Sequence, residues 1–533
     1  MKRTSKILAI VLLVCVFAVG VPIGAVAQEE VVLTYVTQQE TMCFDPAKSV
    51  DETELGNIFN TYDMLVYPLE TGKALAPWLA ESWDASEDGL TYTFHLRKGV
   101  LFHDGTELTA EDVAFSMDRM LRINMGFSWL WKGILDPGDV KVIDKYTVAF
   151  HLNKTFGPFI ATLVEFGIVN KDLIMANMKA GEFGEFGDYG QEYLEMHDAG
   201  SGPYIPESIE LGNRVMFRKF DGYWRGWEKG QIDKVRWLVI PESATMVVMM
   251  KKGEADMSEQ WLSPEAFEDM AATPGVVVEE NPQMQLFFLQ MNNKKPPFDD
   301  VNVRRAISYA FDYETAIEAI FKGGVQARGS VPVLMPGHSP KVHVYYQDLD
   351  LAKRYLENSK YSMKELEGMS LTFVYVKGLE IERKVGLLLA NNLKKLGFDV
   401  KIRSEPWGTI TDMATKPEAT PHFTAIYHTA KYPSPDSHTY LIFNQKAWGN
   451  YISMSWYENP VVTYLADKAR TTVDTQERYR LYGEVQRIGA EEAAALFVAN
   501  PVLRRAFRDH VKGYRYPGIL GYDLVFYNLR IEK

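Results

Sequence analysis

The sequence has little of what several common classes of protein require. Its 533 residues include two cysteines, which cannot form a disulfide framework. Lysine and arginine form no block beyond the extreme N-terminus and the net charge is −13, so a nucleic-acid-binding surface is not expected. No apolar run after residue 30 is long enough to span a bilayer, which argues against an integral membrane domain.

Signatures of catalysis and of nucleotide binding are missing as well. There is no Gly-x-Ser-x-Gly, His-Glu-x-x-His, Cys-x-x-Cys or P-loop motif, and no Gly-x-Gly-x-x-Gly turn follows a predicted strand. The 70 acidic residues would allow many carboxylate pairs, but no spacing or nucleophile singles one out. We therefore expect neither an enzyme nor a bound cofactor, with a periplasmic hydrolase as the rival class.

The N-terminus has the three parts of a secretory signal peptide. Lys2, Arg3 and Lys6 precede an uncharged apolar stretch, and Ala25-Val26-Ala27 supplies the small-x-small pattern of a cleavage site. The sequence thus predicts a signal peptide over residues 1–27 and a periplasmic mature protein. An uncleaved membrane anchor is the alternative, because the apolar run is long enough to span.

The remainder has the composition of a folded protein of about two to four domains. Hydrophobic residues make up 47% and aromatic residues 13% of the chain. Apolar and polar residues alternate over 90–97 and 145–153, which predicts half-buried strands. Between them, Thr109 and Asp112 form a capping box in front of an apolar helical stripe.

The second half of the chain alternates between strand and helix patterns. We predict strands at 371–376, 398–403 and 423–428, with helices at 385–396 and 407–414 between them. This β-α-β-α-β order is the unit of a doubly wound α/β sheet. Ligands of such sheets bind beyond the C-terminal ends of the strands, which here are the segments 377–379, 404–406 and 429–439.

The chain resembles the peptide-type extracellular solute-binding proteins of ABC importers, the group that includes dipeptide-, oligopeptide- and nickel-binding proteins. The most specific stretch comprises LAPWLAESW at 75–83, DGLTYTF at 88–94, LRKGV at 96–100, FHDG at 102–105 and TAEDV at 109–113. Shorter pieces are SGPY at 201–204, GEAD at 253–256 and VRRAI at 303–307. The similarity covers essentially the whole mature chain.

The resemblance implies an α/β periplasmic-binding-protein-like fold with two lobes, a hinge and a ligand cleft between the lobes. Lobe I would comprise residues 28–283 plus 502–533, with an extra subdomain, and lobe II residues 284–501. The implied function is an extracytoplasmic receptor that delivers a small ligand, a peptide by resemblance, to the permease subunits of an ABC transporter. We expect a monomer without nucleic-acid partners.

The resemblance also points to a ligand-binding loop, at which this chain departs from the family. In the peptide binders an aspartate after the third strand pairs with the ligand's amino group, and a tryptophan precedes it. The corresponding residues here are Lys431 and His428, and a lysine repels an ammonium group. Asp436 is a candidate replacement, and Tyr432 lies beside Lys431. The departure makes an anionic, neutral or sugar-like ligand more plausible, so an oligosaccharide is the alternative ligand class.

Further candidates follow from the same resemblance. Arg383, at the start of the helix after the first of these strands, would hold a ligand carboxylate, or else belong to a solvated helix face. Aromatic residues in segments that often line the cleft would contact apolar side chains or sugar rings, or else pack in the core; they are Trp129, Trp131, Trp261, Trp456 and Tyr204.

Histidines in the same region raise the question of a metal site. His422, His428 and His438 are the candidates. His422 and His428 are six positions apart on a predicted strand, about 20 Å if extended, so they cannot share one ion without a bend. We expect no metal site.

Overall fold

The computed structural model describes residues 30–40, 43–69 and 75–532, so the predicted signal peptide over 1–27 lies outside the described residues. None of the described helices is long and apolar enough to cross a membrane. The strands, in chain order, are β1 (Val32–Thr37), β2 (Val66–Pro68), β3 (Leu75–Pro77), β4 (Ala80–Ala85), β5 (Thr91–Leu96), β6 (Val140–Asp144), β7 (Thr147–His151), β8 (Tyr204–Glu210), β9 (Arg214–Lys219), β10 (Lys234–Val239), β11 (Met257–Ser258), β12 (Val276–Pro282), β13 (Gln285–Met291), β14 (Val325–Gln326), β15 (Ser370–Val376), β16 (Asp399–Glu405), β17 (Phe423–Thr429), β18 (Ala495–Asn500), β19 (Val502–Arg508), β20 (Val511–Lys512) and β21 (Arg530–Ile531).

Helices alternate with these strands through most of the chain. They are α1 (Glu52–Thr61), α2 (Ala110–Ile123), α3 (Phe159–Thr162), α4 (Lys171–Asn177), α5 (Ser243–Lys252), α6 (Pro264–Ala271), α7 (Val301–Ala310), α8 (Tyr313–Thr315), α9 (Leu349–Glu357), α10 (Met363–Leu366), α11 (Glu380–Lys394), α12 (Trp407–Met413), α13 (Asp436–Phe443), α14 (Pro460–Arg470) and α15 (Thr475–Glu491).

Two large sheets divide the molecule. The first has seven strands in the order β12-β19-β11-β1-β10-β9-β8, and the second has six in the order β14-β18-β13-β17-β15-β16. We use lobe I for residues 31–282 and 502–532, which carry the seven-stranded sheet, and lobe II for residues 285–500, which carry the six-stranded sheet. The α/β fold class predicted from the sequence is confirmed.

A four-stranded sheet in the order β4-β5-β7-β6 forms the extra part of lobe I. The alternation of the sequence is visible in β5, where every second residue is buried. The predicted capping box also forms at the start of α2, where the Asp112 carboxylate accepts the Thr109 backbone N–H at 2.9 Å. This unit places the segment after α2, which includes Phe127 and Trp129, against the rest of lobe I.

The predicted β-α-β-α-β unit is present in lobe II. β15 pairs in parallel with both β16 and β17, and α11 and α12 form the crossovers. The sequence did not predict that β13 joins this sheet antiparallel to β17, or that β18 pairs antiparallel to β13 on its other side. β13 leads into lobe II and β18 leads out of it. The two strands therefore run in opposite directions.

Candidate functional site

The chain crosses between the lobes at two adjacent strand junctions. β12 ends at Pro282 and β13 begins at Gln285, whereas β18 ends at Asn500 and β19 begins at Val502. The side-chain N–H of Asn500 donates to the Gln285 carbonyl at 3.0 Å and ties the crossings together. The Gln285 amide also donates to the Thr429 hydroxyl at 2.7 Å, so the crossing holds the end of β17.

The loop after β17 is fixed at the boundary of the lobes by backbone hydrogen bonds. The Ala430 N–H donates to the Met284 carbonyl at 2.8 Å, and the Leu520 N–H donates to the Ala430 carbonyl at 3.0 Å. The Lys431 N–H donates to the Ser437 hydroxyl at 3.1 Å. These bonds leave the Lys431 side chain little freedom, and only 4% of this residue is exposed.

Lys431 extends from lobe II towards acidic groups of lobe I. Its ammonium lies 5.9 Å from the ring centre of Phe127. Burial raises the pKa of both Asp51 and Glu165, and attraction to Lys431 opposes that rise in each case. Within the described ranges, the Lys431 ammonium has neither a hydrogen bond nor an ion pair within 4 Å. The lysine is therefore close to two carboxyl groups without being bonded to either.

Glu165 is buried without any hydrogen-bond donor. It is 2% exposed, and neither of its carboxyl oxygens has a partner within the described part of the chain. Burial raises its pKa well above the usual value. A polar group in this situation costs free energy, because it has lost water without gaining a protein partner. Such a group is a candidate for satisfaction by a ligand.

The imidazole rings of His428 and His438 contact each other at a tilt of 45° near Lys431. The Nε2 of His428 lies 2.8 Å from the Ser437 carbonyl, and the Nε2 of His438 lies 3.2 Å from the His428 carbonyl. These contacts assign the proton to Nε2 in both rings, and neither Nδ1 has a hydrogen-bond partner among the described residues. The ring centroids are 4.2 Å apart. Burial lowers both pKa values, that of His438 to about 3, so both rings are neutral at pH 7.

Metal coordination receives no support from this pair. Among the residues that the structure describes, no group of three or more His, Cys, Asp or Glu side chains could hold a metal ion. His422, the third histidine considered from the sequence, accepts the Thr372 N–H through Nδ1 at 3.1 Å, just before β17 begins.

Asp436 and Tyr432 belong to a hydrogen-bonded network in lobe II. The Asp436 carboxylate accepts hydrogen bonds from two tyrosine hydroxyls, that of Tyr432 at 2.7 Å and that of Tyr482 at 2.9 Å. The Nε of Arg470 lies 3.2 Å from the same carboxylate, and its guanidinium lies 4.8 Å from the ring centre of Phe156 in lobe I. With these partners the two residues support the loop that carries Lys431. Direct ligand contact by either one stays a prediction.

Trp261 and Tyr427 meet across the lobes next to the crossings. Their rings are T-shaped with centroids 5.3 Å apart. They line a cavity of about 40 Å³ together with Gln260 and Gln285. Trp261 therefore lies at the lobe boundary, and its contact with a ligand stays a prediction.

Arg383 already has a partner on its own helix. Its guanidinium donates to the Glu380 carboxylate at 2.8 and 2.5 Å, and 43% of its side chain is exposed. Its neighbour Lys384 reaches lobe I instead, where its ammonium lies 3.0 Å from the Glu265 carboxylate. This ion pair contributes to contact between the lobes.

The other aromatic candidates do not gather at one place. Trp129 packs against hydrophobic clusters of both lobes. Trp131 and Tyr204 are fully buried in lobe I, where the Trp131 indole donates to Thr162 and the Tyr204 hydroxyl to Ile232. In lobe II, the indole of Trp456 donates to the Thr420 hydroxyl at 2.9 Å. Their polar atoms are thus satisfied internally.

Asp51 and Glu165 are the site residues that sequence reasoning missed. Asp51 caps α1, where its carboxylate accepts the Glu54 N–H at 2.9 Å, a role that any capping residue could have. Glu165 had a detectable signal, since it is the single charged residue in the stretch 155–170. A lone carboxylate in a buried segment indicates function or a specific partner.

A larger cavity lies within lobe I, away from the crossings. It has a volume of about 460 Å³ and is lined by aromatic residues that include Trp78 and Tyr223. Asp63 at its base accepts hydrogen bonds from Trp78, Ser201, Tyr223 and Trp224. Unlike Glu165, this buried carboxylate is surrounded by donors.

Comparison with known proteins gives consistent results. Residues 74–450 match the family model described as the middle region of bacterial extracellular solute-binding proteins, family 5. The chain is 31% identical to the dipeptide-binding protein of Escherichia coli (strain K12) over 82% of this chain and 83% of that protein. It is 28% identical to the probable D,D-dipeptide-binding periplasmic protein DdpA of the same organism, over 94% and 95% of the two chains.

A solved structure shares the fold. The ABC transporter-associated periplasmic binding protein DppA from Helicobacter pylori, in complex with the peptide STSA, superposes with a TM-score of 0.82 at 26% identity. The match covers 94% of this chain and 98% of that one. The two-lobed arrangement predicted from the sequence is thereby confirmed.

Proposed function

Because this chain belongs to the family 5 bacterial extracellular solute-binding proteins, a family of non-enzymatic binding receptors, we propose that it captures a peptide between its lobes for an ABC importer. The observation that carries the proposal is the set of buried polar groups without partners around Lys431, where the two lobes meet. A ligand that enters this site would satisfy them.

Contacts on both sides of the site support capture by closure. Lys384 of lobe II pairs with Glu265 of lobe I at 3.0 Å. On the other side, the Gly157 N–H of lobe I donates to the Arg470 carbonyl of lobe II at 2.8 Å. A Cβ at residue 157 would lie 2.7 Å from the Thr472 carbonyl oxygen, so this approach requires glycine. We propose that a ligand which contacts both lobes favours this closed arrangement.

A peptide is the ligand class that the relatives support. Those named above are described as dipeptide-binding, and the Helicobacter pylori protein holds the peptide STSA. The ammonium of Lys431 would bind a peptide carbonyl or carboxylate oxygen. The oligosaccharide alternative rested on the departure at Lys431 and on the aromatic candidates, and the polar atoms of Trp131, Tyr204 and Trp456 are satisfied inside the lobes.

The cellular setting follows from the same family membership. We propose that the mature protein acts in the periplasm after removal of residues 1–27 and docks on membrane-embedded permease subunits. The relatives described as periplasmic support this location. A monomer is the simplest form of such a receptor, and its state is measurable by sedimentation.

A thermal-shift screen of the mature protein tests the proposed ligand class. The screen would contain di-, tri- and tetra-alanine, mixed-sequence peptides, cello-, xylo- and manno-oligosaccharides, and Ni²⁺. A peptide at 100-fold over its Kd should raise the stability by about 2.7 kcal/mol. Shifts with sugars alone, or with none of the peptides, would overturn the proposal.

Two substitutions test the location of the site. Lys431→Ala and Trp261→Ala should each weaken peptide binding at least about tenfold while the fold is retained. Glu195→Gln, a change of one charge at an exposed position of lobe I, serves as the control and should bind as the wild type does. Wild-type affinity in both site variants would place the ligand elsewhere.

A further inference from the structure

The charges around Lys431 do not balance. Asp51 and Glu165 of lobe I both interact with its ammonium electrostatically. Two titratable groups of lobe II that feel the Lys431 charge, His428 and His438, are neutral because they are buried. Burial favours the neutral form of both carboxyl groups and the Lys431 charge opposes it in each, so a second cation bound here would stabilise the charged form.

Several hydrogen-bonding groups around Lys431 are also without partners in the described part of the chain. Both oxygens of Glu165 and the Nδ1 atoms of His428 and His438 are buried acceptors without donors. Lys431 supplies donors, yet within the described part of the chain its ammonium has no acceptor, and it lies 5.9 Å from the centre of the Phe127 ring. Among the described residues, unpaired acceptors therefore lie on both sides of the site, whereas the unpaired donor, Lys431, lies on the lobe II side.

We propose that Glu165 receives the amino terminus of the bound peptide, while the adjacent carbonyl or carboxylate oxygen of the ligand accepts from Lys431. The proposal rests on the peptide-binding function given above. The ligand's ammonium supplies the donors that Glu165 lacks, and its oxygen supplies the acceptor that Lys431 lacks. Glu165 is thus a specificity-determining residue that replaces, from the opposite lobe, the carboxylate absent at position 431.

This arrangement removes the conflict that Lys431 creates for an amino-terminal ligand. An ammonium bound directly beside Lys431 would be repelled, since like charges close together in a buried site interact strongly. An ammonium at Glu165 has a carboxylate as its immediate neighbour, and Asp51 contributes a second negative group. Because Glu165 lies in lobe I and Lys431 in lobe II, one ligand end would bridge the lobes and stabilise their closure.

Paired probes test the proposal in the wild-type protein. Di-, tri- and tetra-alanine would each be compared with the same peptide acetylated at its amino terminus, by calorimetric titration. Acetylation removes the charge and should weaken binding by about 100-fold. Equal binding of free and acetylated peptides would overturn the placement of the amino terminus and leave the peptide-binding function intact.

Glu165→Gln then assigns the effect to this residue. Glutamine preserves the shape of the side chain, so the variant should fold. We expect it to bind free-amine peptides about 10- to 100-fold more weakly and to bind acetylated peptides as the wild type does. Discrimination retained in full by the variant would overturn the assignment to Glu165.

Two controls keep the outcomes separate. Glu195→Gln removes one negative charge from the exposed surface of the same lobe and should preserve the discrimination. If the wild-type protein binds none of the free-amine peptides, the proposed function itself fails and the role of Glu165 fails with it. If it binds them and only the amine preference is absent, the role of Glu165 alone is wrong.

Discussion

Asp63 and Glu165 are both buried carboxyl groups of lobe I, yet the fold treats them differently. Asp63 accepts four hydrogen bonds at the base of the 460 Å³ cavity, whereas Glu165 accepts none at the lobe boundary. The larger cavity is therefore the one whose polar groups are already satisfied. We therefore base the proposed binding site on unsatisfied polar groups and not on cavity size.

The pKa values of four buried carboxyl groups follow the number of donors that each receives. Burial raises the pKa of all four. The value is about 6 for Asp63 with four donors, about 7 for Glu259 with two and about 8 for Glu382 with one. Glu165, with none, is raised well above its usual value. Donors stabilise the charged form, so Glu165 is the one of these four carboxyl groups that would gain most from a partner.

The largest effect should come from breaking the satisfied site. Asp63→Ala leaves the Trp78 and Trp224 indoles and the Ser201 and Tyr223 hydroxyls without their acceptor. We expect a loss of about 4 kcal/mol in the free energy of unfolding, measured with urea, and unchanged peptide affinity in the folded fraction.

Asp221→Ala is the matched control, because 87% of the Asp221 side chain is exposed. Its stability should stay within about 0.5 kcal/mol of the wild type. Loss of peptide binding in folded Asp63→Ala would show that the lobe I cavity takes part in recognition, and would end the contrast between the two sites.

Removal of the unsatisfied carboxyl group of Glu165 should increase the free energy of unfolding instead of lowering it. Without ligand, Glu165→Gln should be more stable than the wild type at pH 8, because the wild type must keep a carboxyl group protonated in its interior. The gain should disappear near pH 4.5, where the carboxyl group is protonated in the unfolded chain too. Urea unfolding at both pH values measures this, and a destabilised variant at pH 8 would contradict the comparison.

Glu382 has one hydrogen-bond donor and lies between Glu165 and Glu259 in the comparison of buried carboxyl groups. Its folded-state pKa of about 8 exceeds the unfolded value, so its favourable contribution is complete below pH 4.5 and is lost as the pH rises through 8. Glu382→Gln should therefore gain about 2 kcal/mol over the wild type between pH 5 and pH 9. A gain larger than that of Glu165→Gln would break the relation between donors and stability.

The smallest effect concerns an exposed pair at the lobe boundary. Lys384→Gln removes the ion pair with Glu265. The Lys384 side chain is 29% exposed and that of Glu265 is 48% exposed. Stability should change by less than about 0.5 kcal/mol, and peptide affinity by only a few-fold. Parallel urea and calorimetric measurements would detect either change. A tenfold loss of affinity would mean that closure depends on this surface contact as much as on the buried groups.

Local patterns were enough to predict much of the fold. The alternation in β5, the capping box at Thr109 and the β-α-β-α-β unit follow from neighbouring residues, and all are present. The antiparallel strands β13 and β18 were not predicted, because their pairing joins residues far apart in the chain. Long-range pairing is not encoded in a local period.

The site shows the same limit. The loop with Lys431 was found from strand order, and its position at the lobe boundary agrees with that reasoning. Glu165 lies far from Lys431 in sequence, and its relevance depends on having no donor within the fold. Such an absence becomes visible only once every neighbour has been placed. Conversely, Trp131 and Tyr204 have the residue types of a binding surface, but their partners lie inside lobe I.

The position of β19 has a consequence for the order in which the protein can be built. This strand lies between β12 and β11 in the seven-stranded sheet, yet it is synthesised after the whole of lobe II. A nascent chain that has reached residue 501 therefore still lacks an interior strand of its first sheet. Lobe I must wait for nearly complete synthesis, so the growing polypeptide stays incompletely folded for most of translation. A chain that must be threaded through a narrow export channel would benefit from that delay.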